Sequence, residues 1–235
     1  MILNAITSNG VQVPDTLHQC CVIIPALNPL PILLTLLKDL QQQGLKNILL
    51  IDDGSSAEFQ GVFKAASEMG AMVLRHPVNL GKGAALKNAF ENAFAQGYLA
   101  VVTVDADGQH SATDAARIAR QVLAEKAPIC VLGVRSFASE VPLRSRFGNL
   151  LTRQIFRAFS SIRVSDTQTG LRGFSADLLP LLCKVPGQRY EFEMKMLLWL
   201  AEAKLPIKEI PIDTIYIDDN AHSHFNPIVD SLRIY

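Results

Sequence analysis

Two carboxylates one residue apart, Asp105 and Asp107, stand where an apolar run gives way to a glycine-containing turn, in the order Asp105-Ala106-Asp107-Gly108-Gln109-His110. Where a strand ends the pleat breaks, and both side chains can turn the same way. Such a hard oxygen pair suits a divalent cation that completes its shell with phosphate oxygens and water. Gln109 adds a neutral oxygen at the same turn. An isolated Asp-x-Asp before a glycine serves equally well in a solvated turn, so the residues around it decide. Three further apolar runs lead into polar groups: Pro25-Ala26-Leu27-Asn28, Asp52-Asp53-Gly54-Ser55-Ser56 and Asn79-Leu80-Gly81-Lys82-Gly83. In an open parallel sheet ligands collect at the carboxyl ends of the strands, so the four polar ends point at one rim.

The Gly81-Lys82-Gly83 loop opens a helical pattern and invites comparison with a dinucleotide-binding turn. The third glycine position is Leu86, and five residues, 76–80, separate the preceding strand from the glycines, whereas that fingerprint needs a tight turn directly after the strand. A Walker loop fails too, because Ala84 follows Gly83 where Lys and Ser/Thr are required. Two readings stay open: a helix N-terminus that offers Lys82 as a local positive charge to a donor, or a helix start that needs glycine for close packing.

These residues must be positioned by elements, and the hydrophobic pattern supplies them. The runs 20–24, 47–51, 71–74, 99–104 and 129–132 are continuous rather than alternating in hydrophobicity, as expected of strands buried on both faces. Helical patterns fill the gaps. Asn28 is placed to cap a helix that starts at Pro29, buries Leu33, Leu36, Leu37 and Leu40, and stops at Gly44. Helices follow at 82–96 and 113–126, the latter preceded by Ser111 with Asp114 three residues on, a capping-box pattern. Strand and helix in alternation predict an α/β fold with a doubly wound, mostly parallel sheet.

After Gly133 the pattern changes. From Leu143 to Ser160, apolar Phe147, Leu150, Leu151, Ile155 and Phe159 recur at helical spacing between Arg144, Arg146, Arg153 and Arg157, with no acid from 141 to 165. That pattern fits an interfacial helix on lipid phosphates or a solvated surface helix. A glycine-containing loop (165–173), a helix at 190–203 and a β-branched segment (207–217) able to add strands complete the chain.

The 235 residues are 49% hydrophobic, with 22 basic and 22 acidic side chains. The length fits one domain with a substantial core. The charge balance argues against a general nucleic-acid binder, which needs a net basic footprint, so any anion site is local. Cys20, Cys21, Cys130 and Cys183 have no metal or redox spacing and are expected to be reduced core thiols of a cytoplasmic protein. No apolar run approaches the roughly 18 residues that cross a bilayer.

The succession Val22-Ile23-Ile24-Pro25-Ala26-Leu27-Asn28, Ile51-Asp52-Asp53-Gly54-Ser55, Asn79-Leu80-Gly81-Lys82-Gly83-Ala84, Asp105-Ala106-Asp107-Gly108-Gln109-His110 and Gly133-Val134-Arg135 resembles glycosyltransferase family 2. The branch it resembles most includes dolichyl-phosphate mannosyltransferase and the bacterial polyprenyl-phosphate glycosyltransferases. The resemblance implies a GT-A fold that takes a UDP- or GDP-linked sugar with Mg²⁺ or Mn²⁺ and transfers the sugar with inversion. It implies a short extension at 1–18 and one domain at 19–235, with a nucleotide-sugar half (19–135) and an acceptor half (136–235). Carried over by motif, Pro25 and Leu27 line the base and ribose, Ile51 and Asp53 contact the base, and Asp105 and Ala106 lie by the ribose and sugar. Asp107 and Gln109 hold the metal, Lys82 lies near the donor, and Arg135 reaches the donor phosphates. Asp105, Asp107 and Arg135 form the catalytic set. On the acceptor side the resemblance points to Asp166, Thr169, Arg172 and Glu193, and to Ser223 and His224 over the diphosphate.

Departures from the pattern are Pro29 where the family usually has an acid, Leu27 for a common Tyr, and the terminal stretch Asp218-Asp219-Asn220-Ala221-His222-Ser223-His224 in place of an Arg and a Ser-Lys pair. They leave the sugar and base open. The expected acceptor is a polyprenyl phosphate, met at the inner face of the membrane with peripheral contact through 143–160. Its phosphate is anionic at neutral pH and needs no base, whereas a hydroxyl acceptor would call on Glu193 or Asp166. A degenerate, nucleotide-sugar-binding regulator is the reading from another class. Proteins of this pattern often run past a segment like 231–235 into membrane spans, so an end at Tyr235 fits a stand-alone or a shortened catalytic domain.

Overall fold

The structure, a computed structural model, describes residues 16–135 and 164–213. The sequence-derived features at 1–15 and 143–160, and Ser223 and His224, lie outside them. Seven strands form one sheet: β1 (Cys20–Ala26), β2 (Asn47–Asp52), β3 (Met72–Arg75), β4 (Ala100–Thr103), β5 (Cys130–Arg135), β6 (Arg172–Ser175) and β7 (Ile207–Ile212), in the order β3-β2-β1-β4-β6-β5-β7. All neighbours are parallel except β6, which runs antiparallel to β4 and to β5.

Helices α1 (Ile32–Gln42), α2 (Gln60–Glu68) and α4 (Ala112–Ala124) pack on one face, and α3 (Lys82–Ala95), α5 (Leu179–Leu182) and α6 (Glu191–Glu202) on the other. Strand β1 shows why the apolar runs are continuous. Cys20, Val22, Ile24 and Ala26 enter the core under α1 and α4, while Cys21 and Ile23 enter the core under α3 and α6. Side chains alternate across a strand, so a strand covered on both faces has no position left for a polar residue. On the second face Phe90 of α3 meets Phe174 of β6 edge to face at 5.7 Å.

Three local expectations are corrected. Asn28 does not cap a helix from Pro29: α1 starts at Ile32, and Asn28 takes a left-handed φ of 52°. Its backbone N–H donates to Ser55 Oγ (2.8 Å) and its side-chain oxygen accepts from the Ser56 N–H (3.0 Å), which ties the ends of β1 and β2 together. Ser111 does cap α4, accepting from the Thr113 N–H at 3.2 Å, but Asp114 does not complete a box. Its carboxylate takes Arg117 at 2.6 Å and the Asp213 N–H at 3.0 Å. The loop expected at 165–173 ends in β6.

That last difference builds the site. Because β6 is antiparallel, its first residue, Arg172, pairs with Thr103 at the end of β4 and with Leu132 in the middle of β5. Residues 164–171 are thereby delivered to the carboxyl rim of the parallel strands, between the exits of β4 and β5.

Candidate active site

Asp105 and Asp107 follow β4 at the centre of this rim. Asp105 is held on both oxygens: Oδ1 meets Lys82 Nζ at 2.7 Å, and Oδ2 lies 3.7 Å from His110 Nε2. Behind it stands Gly170, where a Cβ would fall 2.0 Å from Asp105 Oδ2. Only a residue without a side chain fits there, and Thr103 Oγ1 fixes its position by donating to the Gly170 carbonyl at 2.8 Å. Burial alone would raise the Asp105 carboxyl, but the Lys82 charge and the His110 hydrogen bond outweigh it and hold the group well below the ordinary carboxylate range. His110 is buried, and its Nδ1 has no hydrogen-bond partner among the described residues.

Asp107 is different. Its residue reaches the surface, yet the protein around its carboxyl and, after that, the charge of Asp105 push it above its ordinary value. One oxygen accepts the Gln109 N–H at 3.0 Å. The Asp105 charge beside Asp107 disfavours its ionisation, a repulsion that a cation would relieve. Among the described residues no cluster of three or more His, Cys, Asp or Glu could hold a metal unaided. Adjacent carboxylates suit a hard divalent cation that takes its remaining ligands from substrate phosphates and water.

Lys82 opens α3 and bridges the two halves of the rim, with Nζ 2.7 Å from Asp105 and 2.8 Å from Glu193. Burial favours the neutral amine, but Asp105 and then Glu193 outweigh it, and the ammonium is held above its ordinary pKa. The two readings of the glycines that flank Lys82 now resolve. A Cβ on Gly81 would meet the Gln188 carbonyl oxygen at 2.5 Å, and one on Gly83 would meet Phe192 Cβ at 2.6 Å. Glycine lets the start of α3 lie against 188–192, where the Ala84 N–H donates to the Gln188 carbonyl at 2.9 Å. Close packing places the lysine, and the lysine supplies the charge.

Arg135, the last residue of β5, forms a two-pronged pair with Asp166, Nε to Oδ2 at 2.6 Å and Nη2 to Oδ1 at 3.1 Å. Asp166 is fully buried and also accepts the Gln168 N–H at 3.1 Å. Arg172 is 1% exposed and acts as an internal brace, donating to the carbonyls of Thr169 (2.8 Å), Glu193 (2.8 Å) and Thr167 (3.1 Å). Thr169 is buried and accepts the Leu171 N–H at 3.2 Å. Arg172 and Thr169, expected on the acceptor side, thus shape the loop from within and present no surface to a ligand.

The residues expected at the base lie at the ends of β1 and β2 and in the turns that follow. Ile51 is fully buried against α3. Asp53 is buried with both oxygens in use: Oδ1 takes His76 Nδ1 (2.7 Å) and the Leu80 N–H (2.9 Å), and Oδ2 takes the Gly81 N–H (2.8 Å). It organises the 76–81 loop and so sets where Lys82 begins. Pro25, Leu27 and Ala106 remain half-buried at the rim.

Pattern reading missed the links between Lys82 and Glu193 and between Arg135 and Asp166. Both join residues far apart in the chain and carry no local signal. His110 was visible only as part of a motif.

Two acids and two paired cations thus stand on the rim of an open α/β sheet, and comparison with known proteins shows the class. The chain belongs to glycosyl transferase family 2, whose model matches residues 21–179. It is 31% identical over 201 residues to an uncharacterized protein of Methanocaldococcus jannaschii, covering 84% of this chain and 82% of that one. It is 30% identical over 216 residues to a UDP-N-acetylglucosamine–dolichyl-phosphate N-acetylglucosaminyltransferase of Methanococcus voltae, covering 84% and 86%. Among solved structures it resembles glucosyl-3-phosphoglycerate synthase of Mycobacterium tuberculosis, crystallised with Mn²⁺, UDP and glucosyl-3-phosphoglycerate. The TM-score is 0.66 at 18% identity, over 91% of this chain and 74% of that one, a likeness of fold. The protein is a glycosyltransferase.

Proposed function

We propose that the chain transfers a sugar, with inversion, from a UDP-linked donor to a polyprenyl phosphate, with Mg²⁺ or Mn²⁺ as cofactor. The observation that carries this reading is the state of the two acceptor-side carboxylates. A hydroxyl acceptor needs a base, but Asp166 is locked on Arg135 and Glu193 is held by Lys82 at 2.8 Å, with Arg172 at 3.9 Å. A carboxylate already paired with a cation is not placed to take the proton of a hydroxyl. A phosphate monoester, with its second pKa near about 6, brings its own anionic nucleophile. The Methanococcus voltae relative, a UDP-N-acetylglucosamine–dolichyl-phosphate N-acetylglucosaminyltransferase, supports the same pair of substrates.

In this reading Asp107, with Gln109, would hold the metal, which supplies positive charge to the diphosphate as it leaves. Lys82 and Arg135 add fixed cations on the donor side, and Asp105, kept ionised by Lys82, faces the ribose and sugar. Residues 164–171 line the opposite side, from which an in-line attack on the anomeric carbon inverts it. The rim acts by position and charge.

The test supplies UDP-N-acetylglucosamine, UDP-glucose or GDP-mannose with Mn²⁺ to the purified chain, and offers a short polyprenyl phosphate or the matching polyprenol. Product from the phosphate and none from the alcohol is expected. Transfer to the alcohol at a comparable rate overturns the acceptor assignment.

A further inference from the structure

The two ion pairs share a pattern. Each joins a cation from the first half of the chain, Lys82 or Arg135, to a carboxylate from the second half, Glu193 or Asp166. Asp166 is held by a hydrogen bond apart from its cation, and Glu193 stands on a braced stretch of backbone. Asp166 sits at the buried end of a loop and accepts the Gln168 N–H. Glu193 lies in the first turn of α6, where Glu191 Oε1 accepts the N–H groups of Gln188 and Arg189 at 3.0 and 3.2 Å and Arg172 braces the Glu193 carbonyl. The cations, by contrast, sit at the ends of β5 and at the start of α3, with side chains 21% and 17% exposed toward the rim.

We infer that Asp166 and Glu193 are positioning residues that aim Arg135 and Lys82 at the donor diphosphate, and that neither serves as a general base. The inference rests on the proposed donor chemistry and goes beyond it by giving the acceptor half a role in donor binding. Physically, a long cationic side chain loses rotamer freedom when it meets a ligand, and a buried carboxylate that fixes it beforehand removes that cost. The two-pronged geometry matters for Arg135, since a guanidinium held through Nε and Nη2 has one orientation only. Without Glu193 the Lys82 ammonium is left to Asp105 alone and is drawn onto the carboxylate beside the metal site.

The experiment is titration calorimetry of the full chain with Mn²⁺ and UDP, and with Mn²⁺ and GDP, on two double-mutant cycles: Asp166→Asn with Arg135→Gln, and Glu193→Gln with Lys82→Gln. Each single variant is expected to weaken the bound nucleotide about tenfold. Each double variant should be no weaker than the worse single, because a pair that acts as a unit is lost once. UMP binding should move far less than UDP binding, a split that general loosening of the fold would not give. The Glu193 cycle stands by itself should Asp166→Asn fail to fold, since Glu193 and Lys82 are the less buried pair. Asp166→Asn and Glu193→Gln variants that bind Mn²⁺ and UDP as tightly as the wild type, while transfer to polyprenyl phosphate collapses, would overturn the inference in favour of base roles. A wild-type chain that binds neither nucleotide overturns the donor reading itself, and this inference with it.

Discussion

At the scale of single residues, Asp107 and Gly170 bound what the turn after β4 does. In the proposed reading Asp107 is the carboxylate that takes the cation, because Asp105 already pairs with Lys82 and lies 3.7 Å from His110. Asp107→Ala is therefore expected to abolish Mn²⁺-dependent UDP binding and turnover; transfer at near wild-type rate with metal supplied refutes the metal assignment. Protons compete with a cation for the same oxygens. Since the Asp107 carboxyl sits above its ordinary value, the site loses metal on acidification sooner than an ordinary carboxylate would. Mn²⁺ affinity followed by electron paramagnetic resonance from about pH 7 to about pH 5 should fall with pH, and a flat profile contradicts the shift. Gly170 tests the other carboxylate. With a Cβ due 2.0 Å from Asp105 Oδ2, Gly170→Ala must displace that group or the strand that carries it. We expect a stability loss of about 1–3 kcal/mol and at least tenfold weaker donor binding; an unchanged donor affinity shows that the position of Asp105 is immaterial.

At the scale of elements, the 76–81 loop is held by one buried side chain. Asp53 satisfies two backbone N–H groups and His76, whose other ring nitrogen meets Asn88 of α3 at 2.8 Å. Asp53→Ala orphans these groups, at about 1–3 kcal/mol for each buried donor. It should also release the start of α3, so that chemical denaturation shows a lower midpoint and calorimetry a weaker diphosphate. A variant that loses nucleotide affinity at full stability would instead point to direct contact between Asp53 and the base. Strands β1, β2, β4 and β5 were legible because doubly covered strands leave long apolar runs, and so was α4, whose cap is local. Strand β6 was not. Arg172-Gly173-Phe174-Ser175 has no β-branched residue and owes its pairing to neighbours on both sides. Gly173 is there for α4, since a Cβ would meet Ile118 Cγ2 at 2.6 Å and Val122 Cγ2 at 2.7 Å. The motif residues of the rim were legible one by one, but which of them pair across the sheet is decided by that one antiparallel strand, which no local pattern announces.

At the scale of the whole molecule, the question is how a chain of formal net charge +0 meets a lipid-borne phosphate. No helix among the described residues is long and apolar enough to cross a membrane. The charged phosphate of a polyprenyl phosphate itself lies at the bilayer surface. Attraction to an anionic bilayer is worth about 1 kcal/mol for each nearby basic residue and fades beyond a Debye length of about 10 Å at 0.1 M salt. A neutral molecule gains from this only through a local excess of cations. The sequence has one such stretch, since 143–160 carries four arginines with no acid from 141 to 165. The arginines also stand between Phe147, Leu150, Leu151, Ile155 and Phe159, the mixture that seats an amphipathic segment at a lipid surface. Flotation with vesicles containing phosphatidylserine should then carry the protein upward at low salt and less so as salt rises. Arg153→Glu combined with Arg157→Glu reverses two of the four charges, so it should cut flotation sharply while leaving Mn²⁺-dependent UDP affinity intact, the donor residues being elsewhere. Transfer to a water-soluble, short-chain lipid phosphate should likewise survive in the double variant, and transfer to vesicle-borne acceptor should fall with flotation. Equal flotation of wild type and variant at low salt would remove this stretch from membrane contact and leave the lipid to be reached by other means.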